Sequence, residues 1–445
     1  MKRKILFSAV AACSMINLSA QNQSKPNLVL FMADDCSYYD LGCYGSVDSK
    51  TLNIDKFAKE GIRFTKAYQA APMYSPTRHN LLTGIWPVKT GAYPNHTMAK
   101  DGTLSIVQQL KPAGYQVALI GKSHVNPDAV FPWDFYAPLT RSNDTDFAAV
   151  DSFINVCNTK HQPFCLFVMS NQPHTPWNKG NPAMFNPEKI KLPPFYVDIP
   201  ETRKNFCKYL AEINYIDCES GTLLDKLEKY KLADKSAVVY LCEQGNSFPF
   251  AKWTCYDVGV HSACVVRWLG KVKPEIVSDA IVEYVDIIPT FLEMAGAKPV
   301  GPLDGKSIVP LITGKIKEHK QYTFSLHTTR GIIKGSDHYG IRSVADKKYR
   351  YIVNLTPEAT FQNVETEGKL FKQWKEIAAN DTQAKEITDK YQHRPAIELY
   401  DLENDKYCTH NIAELAESKP IIERMDKVLK EWMASCGNEG HSTEI

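Results

Sequence analysis

The sequence has no strong excess of charge of either sign. Its 445 residues include 52 Lys and Arg against 50 Asp and Glu, which gives a formal net charge of +2. Three of the positive charges lie in an N-terminal segment that we expect to be removed, which leaves the mature chain at a net charge of −1. A global basic field of the kind that attracts nucleic acid is therefore excluded, and any recognition of an anion must come from a local site.

Long hydrophobic runs are missing beyond the N-terminus. No later stretch approaches the ~18 apolar residues that a membrane span requires. Residues 1–4 are basic, residues 5–16 are apolar, and Leu18-Ser19-Ala20 offers a cleavage site, features typical of a secretory signal peptide. Residues 1–20 are therefore predicted to be a signal peptide, and the mature protein to be periplasmic or secreted. Lipidation at Cys13 is the less favoured alternative, because the apolar residues continue past it.

Cysteine spacings typical of a structural zinc site are also missing. No CxxC pair and no Cys/His zinc pattern occurs among the 12 cysteines. Without Cys13 an odd number remains, so at least one thiol must be unpaired. Several cysteines lie inside apolar, strand-like runs, where a free thiol behaves as a small hydrophobic group. We expect mostly buried thiols, and one or two disulfides remain an alternative for some of them.

Short β-branched and aromatic runs alternate with helical patterns through much of the chain, whose 44% hydrophobic residues exclude a disordered or low-complexity protein. Apolar side chains recur at roughly 3.6-residue spacing between residues 203 and 232, which predicts a long helix. The alternation predicts an α/β sandwich with a mostly parallel central sheet over residues 21–335. The predicted buried strands cover residues 27–32, 116–120, 164–169, 237–241 and 263–266.

The pattern changes after residue 311. Residues 339–354 resemble a pair of hairpin strands, residues 361–391 are charged and helical, and residues 420–436 form a last helical pattern. We predict a smaller C-terminal α+β lobe over residues 336–445.

Polar side chains follow four of the predicted strands at the point where each ends. Because ligands of open α/β sheets bind beyond the carboxyl ends of the strands, we expect these side chains to share one rim. Carboxylate and amide oxygens suit Ca²⁺ or Mg²⁺, and lysine and histidine suit anion binding and proton transfer. The side chains are Asp34 and Asp35, Lys122 and His124, His174, and Glu243 and Gln244.

A further segment, residues 73–84, predicts a short helix beside this rim. Ser75 suits the N-cap, Pro76 the first helical position and Gly84 the stop. Arg78 then falls in the first turn, where the helix N-terminus favours an oxyanion.

These motifs together resemble the formylglycine sulfatases of the alkaline phosphatase superfamily over nearly the whole mature chain. The finer pattern GKSHVNPDAVFPWDF, with FPF after the Glu-Gln pair, is most similar to the N-sulfoglucosamine (heparan) sulfohydrolase branch. The resemblance implies the sulfatase sandwich fold with its small C-terminal lobe. The matching segments read MADD, TLNIDKFAKEGIRFTKAY, SPTRHNLLTG, GKSH, NQPHTPW and ELYDLEND.

The resemblance also implies roles for individual residues. A calcium ion, with magnesium as the alternative, would be held by Asp34, Asp35, Glu243 and Gln244. Arg78, Lys122 and Lys252 would grip the sulfate oxygens. His124 and His174 would stabilise the nucleophile or protonate the leaving group. His79 and His96 would lie near the pocket, where contact with a glycan and core packing are equally open.

Three positions depart from the family pattern. Tyr74 stands at the position of the residue that relatives oxidise to formylglycine. Because a phenol cannot become an aldehyde hydrate, formylglycine is not expected here. Glu243 and Gln244 stand where the family has Asp and then Asn or His, and each is longer by one methylene. His261 replaces an arginine that many relatives carry.

Three functions therefore remain open from the sequence. The first is a secreted, metal-assisted hydrolase that removes O- or N-linked sulfate from sulfated glycans such as heparan-type chains. The second is a catalytically impaired relative that binds such glycans, because Tyr74 replaces the nucleophile. The third is a metal-dependent phosphoester hydrolase on the same scaffold. A sulfated oligosaccharide is the expected partner, and no nucleic acid is expected.

Overall fold

The computed structural model describes residues 25–444. The predicted signal peptide and Cys13 therefore lie outside the described residues. The strands are β1 Asn27–Ala33, β2 Ile62–Tyr68, β3 Gln116–Gly121, β4 Phe135–Ala137, β5 Phe164–Met169, β6 Ser236–Cys242, β7 His261–Trp268, β8 Ile276–Ser278, β9 Val282–Glu283, β10 Thr323–Thr328, β11 Gly340–Ala345, β12 Tyr349–Asn354 and β13 Ile397–Asp401. The α-helices are α1 Leu52–Lys59, α2 Tyr74–Thr83, α3 Pro87–Thr90, α4 Ile106–Leu110, α5 Phe147–Thr159, α6 Pro200–Lys229, α7 Asp257–Val260, α8 Ile287–Met294, α9 Val309–Ile312, α10 Lys369–Ala378, α11 Thr382–Gln392, α12 Lys419–Cys436 and α13 His441–Glu444.

Within the described residues, β1 to β9 form one mixed sheet. Its order is β4-β3-β5-β1-β6-β7-β2-β8, with β9 paired to β2. The neighbours from β4 to β6 are all parallel. The predicted α/β sandwich with a mostly parallel sheet is confirmed.

The sheet is buried on both faces, as its apolar strands predict. Along β1, Val29 and Phe31 point into one core, which includes Leu210 of the long helix α6. The alternate residues Leu28 and Leu30 point into a second core formed with α4 and α8. Helices on both sides therefore hold the strand ends in a fixed plane, from which the polar side chains project.

A second sheet, β10 to β13, is antiparallel throughout. Helix α12 packs on it through Met425, Leu429 and Trp432. Its first strand begins at Thr323, upstream of the boundary that we predicted from the sequence. The division into residues 21–335 and 336–445 stays a prediction.

Several local features differ from the sequence expectations. The run at residues 263–266 lies in β7, which pairs antiparallel with β6 and β2. The chain turns back at the rim after β6, so it needs no crossover to form the next strand. The segment predicted to be helical, residues 361–391, contains helix α10 and most of helix α11. Strand β2 was missed, because its polar alternation did not resemble a fully buried run.

The eleven cysteines in the described part of the chain are all free thiols, and nine of them are buried. No helix among residues 25–444 combines the length and apolar character needed to cross a bilayer.

Candidate active site

The four predicted strand ends meet at one rim of the mixed sheet. Strands β3, β5, β1 and β6 are adjacent and parallel, so their carboxyl ends lie at the same edge. Backbone hydrogen bonds continue past the strands: the Lys122 N–H donates to the Met169 carbonyl at 2.8 Å, and the Glu243 N–H donates to the Ala33 carbonyl at 2.8 Å. The first polar residues beyond each strand are therefore held in register with one another.

Asp34 is fully buried and bound by two cations. Its Oδ2 forms an ion pair with the Lys122 ammonium, and its Oδ1 lies 4.0 Å from Arg78 Nη2. Burial alone would raise the pKa of Asp34, but Lys122, His174 and Arg78 together hold it well below its usual range. The carboxylate is therefore charged at neutral pH.

Asp35 has a different set of partners. Its Oδ2 accepts hydrogen bonds from Lys252 Nζ at 2.7 Å and from Ser247 Oγ at 2.6 Å. Its Oδ1 accepts one from Gln244 Nε2 at 2.7 Å. Burial opposes ionisation, but chiefly Lys252 and then His174 lower the pKa of this carboxyl. Ser247 is a partner that sequence reasoning missed, although it lies only three residues beyond Gln244.

Glu243 is held by Arg78. Arg78 Nε lies 3.0 and 3.1 Å from the two carboxylate oxygens, and Nη2 donates to Oε2 as well. Both side chains are fully buried. Burial would lower the pKa of Arg78, but Glu243 and Asp34 raise it, so the guanidinium stays charged. The predicted sulfate clamp is therefore already bound to a carboxylate of the same chain.

Tyr74 lies over two of the cations. Its ring centroid is 5.1 Å from Lys122 Nζ and 5.1 Å from Lys252 Nζ, which is cation–π range. Its hydroxyl is 2.8 Å from Nε2 of His96, a residue that sequence reasoning left undecided. Desolvation raises the pKa of the Tyr74 phenol, so it is protonated at neutral pH.

Helix α2 begins two residues earlier than predicted. The N-cap is Met73 in an extended conformation, not Ser75, and Gly84 is the C-cap with φ 68° as predicted. Ser75 is buried within the first turn, and its carbonyl oxygen is 2.8 Å from His79 Nδ1. The shift follows from Met73, whose extended backbone already ends the preceding segment. Ser75 is thus turned away from the position that Tyr74 occupies.

The histidines of the site lie in three different environments. His124 and His96 are exposed beside Tyr74, their ring centroids 4.8 and 5.2 Å from its own. His174 is partly buried, and its Nε2 lies 3.7 Å from Asp35 Oδ2. His79 is buried between the carbonyls of Ser75 and Asn126, which favours core packing over glycan contact.

The backbone of the site includes several non-glycine residues in the left-handed region. Asp35, His124, Gln244 and Trp253 have φ values of 54°, 52°, 36° and 73°. Such conformations cost free energy for side chains with a Cβ, and they persist where surrounding contacts fix them. Here they aim consecutive side chains at the same rim.

The predicted metal ligands have suitable donor chemistry. Asp34 Oδ1 and Gln244 Oε1 are buried and lack a hydrogen-bond partner, and unpartnered buried oxygens are what a hard divalent cation satisfies. Within residues 25–444, no three Asp, Glu, His or Cys side chains are arranged as a metal cluster. The chemistry of these oxygens thus suits a cation such as Ca²⁺. In the structure, however, the carboxylates are arranged in ion pairs with lysine and arginine.

A cleft of about 410 Å³ opens above these groups, and we call it the Tyr74 cleft. Its wall offers hydrogen-bond donors of several kinds: an ammonium, imidazoles and side-chain amides. The main lining residues are Tyr74, Lys122, His124, Asn143, Asn171, Gln172, His174 and Asn178.

His261 does not reach the Tyr74 cleft as a charged group. It stacks on Tyr38 at 3.8 Å between ring centroids and lies 2.8 Å from an Asp257 oxygen. Asp257 is also bound by Arg350 at 2.9 Å. Residue 261 therefore belongs to a buried structural cluster.

Comparison with known proteins gives a consistent result. The family model described as Sulfatase matches residues 26–297, and the one described as N-sulphoglucosamine sulphohydrolase, C-terminal, matches residues 245–381. An ulvan-active sulfatase of Formosa agariphila is 33% identical over 432 residues, covering 96% of this chain and 83% of that protein. Human N-sulphoglucosamine sulphohydrolase is 23% identical over 492 residues, covering 95% and 93%.

The fold is shared with solved structures. A protein in complex with its substrate D-glucosamine-2-N,6-O-disulfate superimposes with a TM-score of 0.73 at 18% identity, covering 94% of this chain and 99% of that one. The Sulfatase match alone spans more than half of the sequence. The chain therefore belongs to the sulfatase family.

Proposed function

We propose that this protein binds the sulfate groups of sulfated glycans in the Tyr74 cleft and does not cleave them by the formylglycine route. The observation that carries the proposal is the position of Tyr74. Its side chain is the first of helix α2, its ring faces Lys122 and Lys252, and its hydroxyl is bound to His96.

The chemistry of Tyr74 supports the loss of turnover. The formylglycine mechanism requires two hydroxyls on one carbon, one that attacks sulfur and one that expels sulfate. A phenol has one hydroxyl, and here that hydroxyl is protonated because desolvation raises its pKa. Ser75, the neighbouring hydroxyl, is buried in the first turn of the helix and does not line the cleft.

The lining of the cleft supports binding. Lys122, His124 and His174 supply cationic or polar N–H donors, and the amides of Asn171 and Asn178 supply neutral ones. A sulfate ester has a single charge spread over three free oxygens, so several modest donors suit it. Because ulvan and sulfated glucosamine are the ligands of the relatives, we infer that a sulfated sugar is the ligand here.

Calcium belongs to this proposal as a bound ion that would add positive charge beside the sulfate. Asp34, Asp35, Glu243 and Gln244 are the residues that would hold it. In the present arrangement Glu243 uses both carboxylate oxygens on Arg78, so we expect calcium to bind weakly. We also infer that the protein works in the periplasm or outside the cell, as a signal peptide implies.

Calorimetry with sulfated and desulfated oligosaccharides tests binding directly. D-glucosamine-2-N,6-O-disulfate and sulfated ulvan oligosaccharides are titrated into the full chain, and free sulfate is measured in the same samples. We expect binding of the sulfated forms only, weakened about tenfold or more in Lys122→Met through loss of a charged donor, with no sulfate released.

Two results would contradict the proposal. Sulfate release by the wild-type chain would make it a sulfatase with an unconventional nucleophile. Equal affinity for desulfated sugars would show that the cleft does not recognise the sulfate group. Release of phosphate from an aryl phosphate, without release from the matching sulfate, would point instead to phosphoester hydrolysis.

A further inference from the structure

Two thiols lie directly behind the site. Cys36 follows the Asp34-Asp35 pair, and Cys242 precedes the Glu243-Gln244 pair. Their sulfur atoms are 3.1 Å apart, closer than two sulfurs in ordinary non-bonded contact. Both residues are completely buried.

The backbone fixes this approach from both sides. Strands β1 and β6 are parallel neighbours, with Ala33 opposite Cys242. Just beyond them the Cys36 N–H donates to the Glu243 carbonyl at 3.2 Å. Because each thiol is attached to a segment hydrogen-bonded to the other, the two side chains face each other without movement of the chain, as a disulfide requires.

We propose that Cys36 and Cys242 form a disulfide that joins the ends of β1 and β6 beneath the site. The two thiol hydrogens leave as protons and two electrons pass to a disulfide-containing oxidant, either a protein or a small molecule. A sulfur–sulfur bond forms between Cys36 and Cys242, and the oxidant's own disulfide breaks to give two thiols. An oxidising compartment supplies such oxidants.

The burial of the pair determines when the link forms. Neither thiol is open to solvent, so a disulfide-containing oxidant cannot reach the pair in the folded protein. Oxidation therefore takes place during folding, before the two strand ends are covered. The link then fixes the spacing between the two pairs of site residues and closes a loop of about 200 residues, which restricts the unfolded chain.

The test folds the full chain twice, once in a glutathione redox buffer and once with a reductant. Denatured samples are titrated for thiols and digested without reduction for mass mapping. We expect two fewer thiols in the oxidatively folded protein and one cross-linked peptide pair containing Cys36 and Cys242. Cys36→Ser loses the cross-link, whereas Cys165→Ser, a change at a buried cysteine of β5 in the same sheet, keeps it.

A stability measurement gives a second readout. Reduction lowers the midpoint of thermal unfolding by several degrees in the wild type and in Cys165→Ser, and leaves it unchanged in Cys36→Ser. The proposal is wrong if both thiols titrate after oxidative folding, or if the map joins either of them to Cys43 or to another cysteine. These readouts do not depend on glycan binding, so failure here leaves the proposed function intact.

Discussion

The ends of β1 and β6 lie side by side in the sheet, but their buried carboxylates are paired with different kinds of cation. At β1 the short side chains Asp34 and Asp35 take lysines from two other loops, Lys122 and Lys252. At β6 the longer Glu243 reaches the arginine of helix α2 and binds it with both oxygens.

The difference shows what one methylene does in a buried site. Each of the three carboxylates at the rim is paired with a lysine or an arginine of the chain itself. Pairing of this kind removes most of the cost of burying each charge. The groups that would bind sulfate and those that would bind a metal are therefore occupied with one another, most completely at β6.

The largest expected effect comes from restoring the family residues at β6 together with the nucleophile. The variant Tyr74→Cys with Glu243→Asp and Gln244→Asn, co-expressed with a formylglycine-generating enzyme, should release sulfate from D-glucosamine-2-N,6-O-disulfate. We expect a rate at least about 100-fold above the wild type, because shortening frees Arg78 to stabilise charge on the substrate. Sulfate release is measured by ion chromatography.

The matched control for that experiment is Tyr74→Cys alone. With Glu243 still bound to Arg78, the single variant should remain inactive even when mass spectrometry shows that the aldehyde has formed. If the single variant is as active as the triple one, the pairing of Glu243 with Arg78 does not limit catalysis.

A stability effect comes next in size. Arg78→Met leaves the Glu243 carboxylate buried without its partner, and removing one member of a buried pair costs about 3–5 kcal/mol in the free energy of unfolding. Urea denaturation measures it. Lys385→Met, at an exposed pair with Asp389 on helix α11, should change stability by less than ~1 kcal/mol. A similarly small effect for Arg78→Met would mean that the charge at β6 is not truly desolvated.

Much of this arrangement could be predicted from the sequence. The runs of buried strands, and the polar residues placed at their ends, are local patterns that survive in the folded chain because the sheet is covered on both faces. Asp34, Lys122, His174 and Glu243 meet at one rim for that reason alone. The helix pattern of residues 73–84 added Arg78, and the resemblance to the sulfatases added Tyr74 and Lys252.

The pairing within the site could not be predicted. Which cation binds which carboxylate depends on side-chain length and on contacts between residues far apart in sequence, as between Arg78 and Glu243. The start of α2 was also misplaced, because the capping preference of Ser75 is weaker than the extended backbone fixed by its buried neighbour Met73. The antiparallel direction of β7 could not be predicted either, because an apolar run is the same in parallel and antiparallel strands.

A pH experiment contrasts Asp34 with Asp40, which lies six residues further along the same loop. Asp40 is buried, and its nearest polar neighbours are neutral, with Asn246 Nδ2 at 3.5 Å. Burial raises the pKa of Asp40 to about 7. Its protonated form therefore stabilises the fold, and this contribution is lost as pH rises from about 4 through 7.

The loss should reach at most about 1.4 kcal/mol per pH unit. Urea unfolding at pH 5 and pH 7 should show a larger loss of stability in the wild type than in Asp40→Asn, where other buried carboxyls with a raised pKa, such as Glu212 and Glu365, still contribute. For Asp34 the sign is opposite, because its pKa is lowered in the folded state: the stabilisation is complete above about pH 4 and is lost as the solution becomes more acidic. Equal slopes in wild type and Asp40→Asn would show that Asp40 is solvated.

The smallest effect is expected from Tyr74→Phe. The change removes one hydrogen bond, to His96, at a position that is only partly buried, so stability should fall by less than about 1 kcal/mol. The ring remains in cation–π range of Lys122 and Lys252, so affinity for the sulfated sugar should change less than about threefold by calorimetry. Tyr74→Ala removes the ring as well, so both lysines lose their cation–π contact and affinity should change more. This pair of variants therefore separates the ring from the hydroxyl. A different result would contradict this view: the wild type releases sulfate and Tyr74→Phe does not. The phenol would then be a nucleophile, and the cations around it would stabilise its ionised form in the transition state.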